Sequence, residues 1–360
     1  MNLMKNIRIS FKVTIRLIWV LLLGACLTPV DFSTENIGGT LVISGQVSPI
    51  QDQNIIQLGL TADTERLPIP LSRASIVLFD DLGESYSYIE DSFTLGAYIL
   101  TDVVGTPGRT YHIQITTPSG AIYESIPEKM PEVVGQVLMH HEFLKEEYTD
   151  LEGIISTETF LKIFTNSELP STEESIYLKW GIEEAFLLSP TDFPDPFGSI
   201  PPPCFIVQNA DPQRVVLFNG DETKTTFIEN ILIGSRIVDW TFLERHYFTA
   251  YQSSLTKEAY EYWRKVNILA NQVGSIFDTP PAEITGNVYN RDDQSEKVLG
   301  YFQATNQSFD RFYLLPQDLP FLLAVPACTF DNRPRFEDYP SRCLDCLAVR
   351  NSSYRRPDWF

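Results

Sequence analysis

The sequence predicts a mainly β protein: a β-sandwich near the N-terminus, then a larger β-rich domain carrying one amphipathic helix. Three observations carry this expectation. Phe (23) and Tyr (16) are abundant and Pro (24) outnumbers Gly (19), the mix of strands punctuated by proline-containing loops. Several segments alternate apolar and polar residues, the period of a strand with one buried face. One strong helical period appears, near 255–273. At 360 residues and 43% hydrophobic, the chain can bury roughly two or three cores. Lys and Arg total 27 against 47 Asp and Glu, a formal charge of −20. Nucleic acid is therefore a poor partner, because binding its backbone depends on Lys and Arg neutralising phosphates.

Residues 1–25 read as an export signal. Lys5, Arg8, Lys12 and Arg16 precede the apolar run Leu17 to Leu23, followed by small Gly24 and Ala25 and then Cys26. The run is far shorter than the ~20 residues a membrane-crossing helix needs. Leu23-Gly24-Ala25-Cys26 resembles a bacterial lipobox, in which the cysteine thiol is acylated and becomes the first mature residue. Cleavage before Cys26 removes four basic residues and no acid, moving the charge from −20 to −24. More than one acyl chain is needed for stable anchoring. Leu27, not Asp, follows the cysteine, so no inner-membrane retention signal is evident. Residues 26–40, with Pro29, Ser33, Gly38 and Gly39, are expected to form a lipidated tether.

A β-sandwich domain is expected over 41–130. Its strand candidates are Leu41 to Val47, Ile55 to Leu60 and Ala74 to Phe79. Asp80-Asp81-Leu82-Gly83 then turns the chain into Glu84 to Ile89. Tyr111, Ile113 and Ile115 alternate onto one face, placing His112 on the solvent side. Pro118-Ser119-Gly120 turns this strand into Ala121 to Ser125. The order of these strands with Gly96-Ala97-Tyr98, Gly108-Arg109-Thr110-Tyr111 and Thr117-Pro118-Ser119-Gly120 resembles transthyretin-like and carboxypeptidase-regulatory-like modules. That resemblance implies a transthyretin-like or Ig-like sandwich with a structural or adhesive role.

A larger β-rich domain is expected over 135–325. Phe160 to Thr165 and Ile176 to Ile182 read as strands. A loop holding Pro190, Pro194, Pro196 and Pro201-Pro202-Pro203 separates them from Phe205 to Val207, Val215 to Phe218 and Phe227 to Val238. Trp240, Phe242, Tyr247, Phe248 and Tyr251 continue the sheet pattern. Leu255, Ala259, Tyr262, Val266, Leu269 and Val273 then form one face of a helix, with Thr256 or Ser254 as cap and Gly274 as stop. Ile284 to Tyr289, Val298 to Ala304 and Arg311 to Leu314 complete the strands. Residues 326–360 read as a loop-rich tail containing cysteines, in which Trp359 and Phe360 form an apolar anchor.

The lipobox, the sandwich, Glu261-Tyr262-Trp263, the segment Gly274 to Pro281, Gly286-Asn287-Val288, Val298 to Phe302, Cys343-Leu344-Asp345-Cys346 and Arg356 to Phe360 together resemble a family of Bacteroidota lipoproteins classed only as a domain of unknown function. Its members are commonly encoded beside TonB-dependent outer-membrane receptors. The resemblance implies outer-membrane attachment through acylated Cys26 and an accessory or ligand-binding role beside such a receptor, with no reaction assigned. Surface-displayed members often carry acids just after the lipid cysteine. Here Asp31 is the first acid, which leaves periplasmic and surface display both open.

Besides Cys26, four cysteines remain: Cys204, Cys328, Cys343 and Cys346. An even number in an exported protein favours disulfides, in any of three connectivities. A zinc site or a redox Cys-x-x-Cys is the alternative. No nucleophile-elbow, zincin, P-loop or dinucleotide motif occurs, so no catalytic residue, metal or cofactor is assigned. His140-His141-Glu142 reads as interdomain loop, and Asp192, Asp195, Asp292 and Asp293 read as turn residues. The expected function is a non-enzymatic, lipid-anchored envelope protein. The alternatives are a glycan hydrolase using paired carboxylates and a structural adhesin.

Overall fold

Alternating burial along short strands shapes most of the molecule. Tyr111, Ile113 and Ile115 are buried and their strand neighbours are half-buried, so the period-two pattern is realised as an inward face. This computed structural model describes residues 39–62, 68–149, 153–188, 202–271, 284–323 and 345–360. The first ten strands are β1 (Leu41–Val47), β2 (Ile55–Leu60), β3 (Ile69–Pro70), β4 (Ser75–Asp80), β5 (Ser85–Ser87), β6 (Ile89–Glu90), β7 (Ala97–Ile99), β8 (Thr110–Thr116), β9 (Ile122–Ser125) and β10 (Glu128–Lys129). Then come β11 (Gln136–Thr149), β12 (Ile155–Glu168), β13 (Tyr177–Leu188), β14 (Cys204–Asn209), β15 (Val216–Asn219), β16 (Phe227–Ile237) and β17 (His246–Leu255). Helix α1 (Lys257–Asn271) precedes β18 (Val288–Asn290), β19 (Val298–Ala304), β20 (Asn306–Leu314) and β21 (Ser352–Ser353). Among the described residues, no helix is long and apolar enough to cross a membrane.

The first sandwich faces a sheet ordered β19-β1-β2-β7-β6 against one ordered β18-β9-β8-β4-β5, with β3 and β10 as side strands. Its core includes Ile43, Ile56, Leu78, Ile113 and Phe302, all essentially inaccessible. The hairpin expected at Asp80 is present. Asp80 Oδ1 accepts from the Leu82 and Glu84 N–H groups (2.9 and 3.0 Å), and Gly83 takes φ 85°. One feature departs from sequence order. The segments read with the second domain at 284–289 and 298–304 supply β18 and β19, which pair with β9 and β1. The β1–β19 pairing is parallel, with Leu41 opposite Val298. A parallel partner needs no hairpin, so nothing in local sequence marks it.

The second sandwich packs a three-stranded sheet, β11-β12-β16, against a sheet ordered β20-β17-β13-β14-β21, with β15 also on β13. Leu161, Ile163, Leu178, Trp180, Phe242 and Phe248 form its core. His140 and His141 lie within β11, not in a loop. As adjacent strand residues they diverge, His140 stacking on Phe164 and His141 on Phe312. Trp240 and Phe242 belong to a short 3-10 turn (Trp240–Leu243), not a strand, because Asp239 Oδ1 captures the Thr241 N–H (2.9 Å). Helix α1 starts after Leu255, which is still strand. Its cap is Thr256, whose Oγ1 accepts from Ala259 N–H (3.1 Å). The buried face at its start is Ala259 and Tyr260 against Tyr177 and Tyr301. The expected end at Val273 and Gly274 lies outside the described residues.

Among the described residues, two connections join the sandwiches. Strand β19 runs into β20 through the single buried residue Thr305, whose N–H donates to Val47 O (3.0 Å) and whose hydroxyl donates to Ser254 O (2.9 Å). Before β11, Gly135 O accepts from Gln252 Nε2 (3.0 Å) and Ser308 Oγ (2.6 Å). A Cβ on Gly135 would sit 2.3 Å from Glu168 O, so only glycine fits there.

Candidate functional site

Disulfides are expected among Cys204, Cys328, Cys343 and Cys346. The structure joins Cys204, at the start of β14, to Cys346, with Cα atoms 5.8 Å apart and a separation of 142 positions in sequence. Cys26, Cys328 and Cys343 lie outside the described residues, as do Asp192 and Asp195. Past Cys346 the tail forms β21, pairing Ser352 and Ser353 with Ile206 and Phe205. It ends with Phe360 against Phe205 (5.1 Å between ring centres) and Tyr247 (4.9 Å). The Arg311 guanidinium lies 3.6 Å over the Trp359 ring. Trp359 and Phe360 therefore dock as the expected apolar anchor, while Arg355, Arg356 and Asp358 stay exposed.

The pinned tail and β14 form one side of an open cleft of about 1060 Å³. The other side is the outward face of β1 and β2 (Val42, Ser44, Gln57) with the loop after β6. That loop holds Phe93 and Leu95 65% and 68% exposed. Large apolar side chains this accessible, gathered on one concavity, mark an interaction surface. Arg350 and Arg355 stand on the tail side of it.

Strand register continues from Asn209 across the side of the sheet that faces away from the second core, where Thr249 and Tyr251 are buried. Asn209, Glu183, Thr249 and Arg311 lie opposite one another along the sheet, so they share its outer face. The next register row holds Gly181, Tyr251 and Phe309. A Cβ on Gly181 would touch nothing within 4 Å, so this row has open space. Burial pushes the Glu183 carboxyl up to about 7, against the pull of Arg311 and the Tyr251 hydroxyl. Sequence reading missed this face because it sought one apolar side per strand. The available signal was β17, which carries aromatics on both parities (Tyr247 and Tyr251 on one, Phe248 on the other) and is buried throughout.

Two buried ionic groups hold the scaffold. Glu184 accepts from Arg236 Nε (2.9 Å), Gln208 Nε2 (2.7 Å) and His246 Nε2–H (3.0 Å). Burial alone would raise its pKa, but these donors hold it below the usual carboxylate value. Burial lowers His246, which stacks between Phe186, Phe242 and Phe248 and is neutral. At the junction of the sandwiches, Glu128 accepts from the Thr256 hydroxyl, Ala304 N–H (3.3 Å) and Tyr301 hydroxyl (3.5 Å). Burial pushes it up to about 7. Asp292 and Asp293 are turn residues whose N–H groups both donate to Asn290 Oδ1. Among the described residues no group of His, Cys, Asp and Glu is arranged to hold a metal.

A family model described as a domain of unknown function (DUF4249) matches residues 27–311. The match spans the first sandwich and β14, and stops short of the tail. No curated protein matches the chain.

Proposed function

The chain belongs to the DUF4249 family of domains of unknown function, and on that premise we propose that it is a lipid-anchored envelope protein that binds rather than catalyses. Acylated Cys26 holds it to the outer membrane, and the cleft serves a TonB-dependent receptor or that receptor's ligand. The observation that carries this reading is the cleft itself. Its lining of apolar, amide, hydroxyl and guanidinium groups is the chemistry of recognition, and Phe93 and Leu95 are largely exposed. Purification from detergent-solubilised membranes tests it. Fatty-acid labelling of wild type but not Cys26→Ser, with stoichiometric recovery of a barrel receptor, supports the proposal. Equal labelling of both proteins, or recovery of the chain alone, contradicts it.

The glycan-hydrolase reading has one observation in its favour. Glu183 lies half-buried on the side of the sheet facing away from the second core, with a carboxyl raised to about 7 by burial, and Asp52 of the first sandwich raises it further. A carboxyl that titrates near neutrality is the kind used as a general acid. Loss of glycan cleavage on Glu183→Gln, with folding intact, would favour this reading over the first.

A further inference from the structure

We propose that the cleft takes an extended acidic peptide, added as a strand to the free edge of β14; this assignment rests on the reading of the cleft as the binding site. The backbone is the first argument. Strand β21 covers only Phe205 and Ile206 of six-residue β14. Val207, Gln208 and Asn209 run on past it as consecutive lining residues, so β14 presents its edge to the cleft as well as a face. Among the described residues no strand pairs with those three on that side. A sheet edge of this kind is a template for an incoming extended chain.

Size and charge select the occupant. At about 1060 Å³ and open along its length, the cleft lies at the upper limit of the ~300–1000 Å³ typical of compact small-molecule pockets. An added strand places alternate side chains to opposite sides. On one side stand Phe93 and Leu95, exposed and apolar. On the tail stand Arg350 and Arg355, both exposed, and neither meets a carboxylate among the described residues. The one lining carboxylate, Asp91, already accepts from Phe93 N–H (3.4 Å). In a chain of net charge −20 this is a local reversal of sign, and it fits a peptide that alternates acidic with apolar residues.

The probe is a capped synthetic peptide alternating Glu and Val, titrated into the full mature chain, with a Lys-for-Glu version as control. The acidic peptide binds at least about tenfold tighter than the basic one, and Arg350→Ala with Arg355→Ala weakens it about tenfold. Binding slows amide exchange at Val207 and Asn209, whose N–H groups face away from β13. N-methylation of one alternate set of peptide amides abolishes binding, and of the other set leaves it intact. Equal affinity for the two peptides, insensitivity to both methylation patterns, or no peptide binding overturns the proposal. A soluble glycan that protects the same amides when no peptide binds overturns the peptide assignment and leaves the cleft reading standing. Unchanged receptor recovery with Phe93→Ser and Leu95→Ser would instead remove the cleft reading itself.

Discussion

Glu128 gives a pH handle on the junction between the sandwiches. Its side chain is 6% exposed and receives Ala304 and Tyr301 from β19 and Thr256 from the helix cap. Burial moves its pKa from 4.5 to about 7. At about 1.4 kcal/mol per pKa unit, keeping this carboxylate ionised in the folded chain costs about 3 kcal/mol above pH 7. Between pH 4.5 and 7 the folded chain holds a proton that the unfolded chain releases. The stabilisation is therefore complete below 4.5 and is lost as pH rises through 7. Glu128→Gln keeps the shape of the protonated carboxyl and cannot ionise. Urea unfolding of both proteins from about pH 5 to about pH 8 isolates the effect, because every other titrating group is common to both. The stability of the variant relative to wild type rises by about 3 kcal/mol across that range. A difference that stays flat with pH, or that rises toward acid, refutes the reasoning.

Three further outcomes are expected. Replacing Cys204 and Cys346 together by Ser removes a cross-link closing a 142-residue separation, which the chain-entropy model values at up to about 5 kcal/mol. Denaturant unfolding should show that loss with early proteolysis of the tail, and an unchanged midpoint would count against the tail as a pinned element. Gly135→Ala forces a Cβ against Glu168 O and should lower stability by about 2 kcal/mol or more. A thermal melt equal to wild type would show that this connection relaxes freely. A fragment of residues 39–130 lacks Phe302 and the β19 partner of β1, so it should not unfold cooperatively by itself, and a sharp two-state transition would show the sandwich complete without β19.

Local chemistry was legible in the sequence and long-range pairing was not. The alternation at Tyr111, Ile113 and Ile115, the turn at Asp80 to Gly83 and the cap at Thr256 each depend on neighbours within a few residues, and each was readable. The parallel register of Leu41 with Val298 depends on what the intervening chain does. Sequence order therefore assigned β18 and β19 to the wrong sandwich. The tail was read correctly as an aromatic anchor because Trp359 and Phe360 are large apolar residues in an otherwise polar segment. Its disulfide partner was left among three connectivities, since spacing alone cannot bring Cys346 within 5.8 Å of Cys204. The cleft was not visible at all. Its sides come from β1, β2, the β3 segment, the loop at Phe93, β14 and the tail, stretches that only the finished fold brings together.

The central claim is that an acylated chain presents this cleft to a receptor. Native mass spectrometry of the complex extracted from membranes in mild detergent tests it most directly, with wild type compared with Val207→Asp, which places a carboxylate in the middle of the cleft wall. The account predicts a chain beginning at acylated Cys26, bound one-to-one to a barrel receptor, and loss of the receptor but not of the acyl chains in the variant. An unacylated chain, or a receptor retained equally by both proteins, would contradict it.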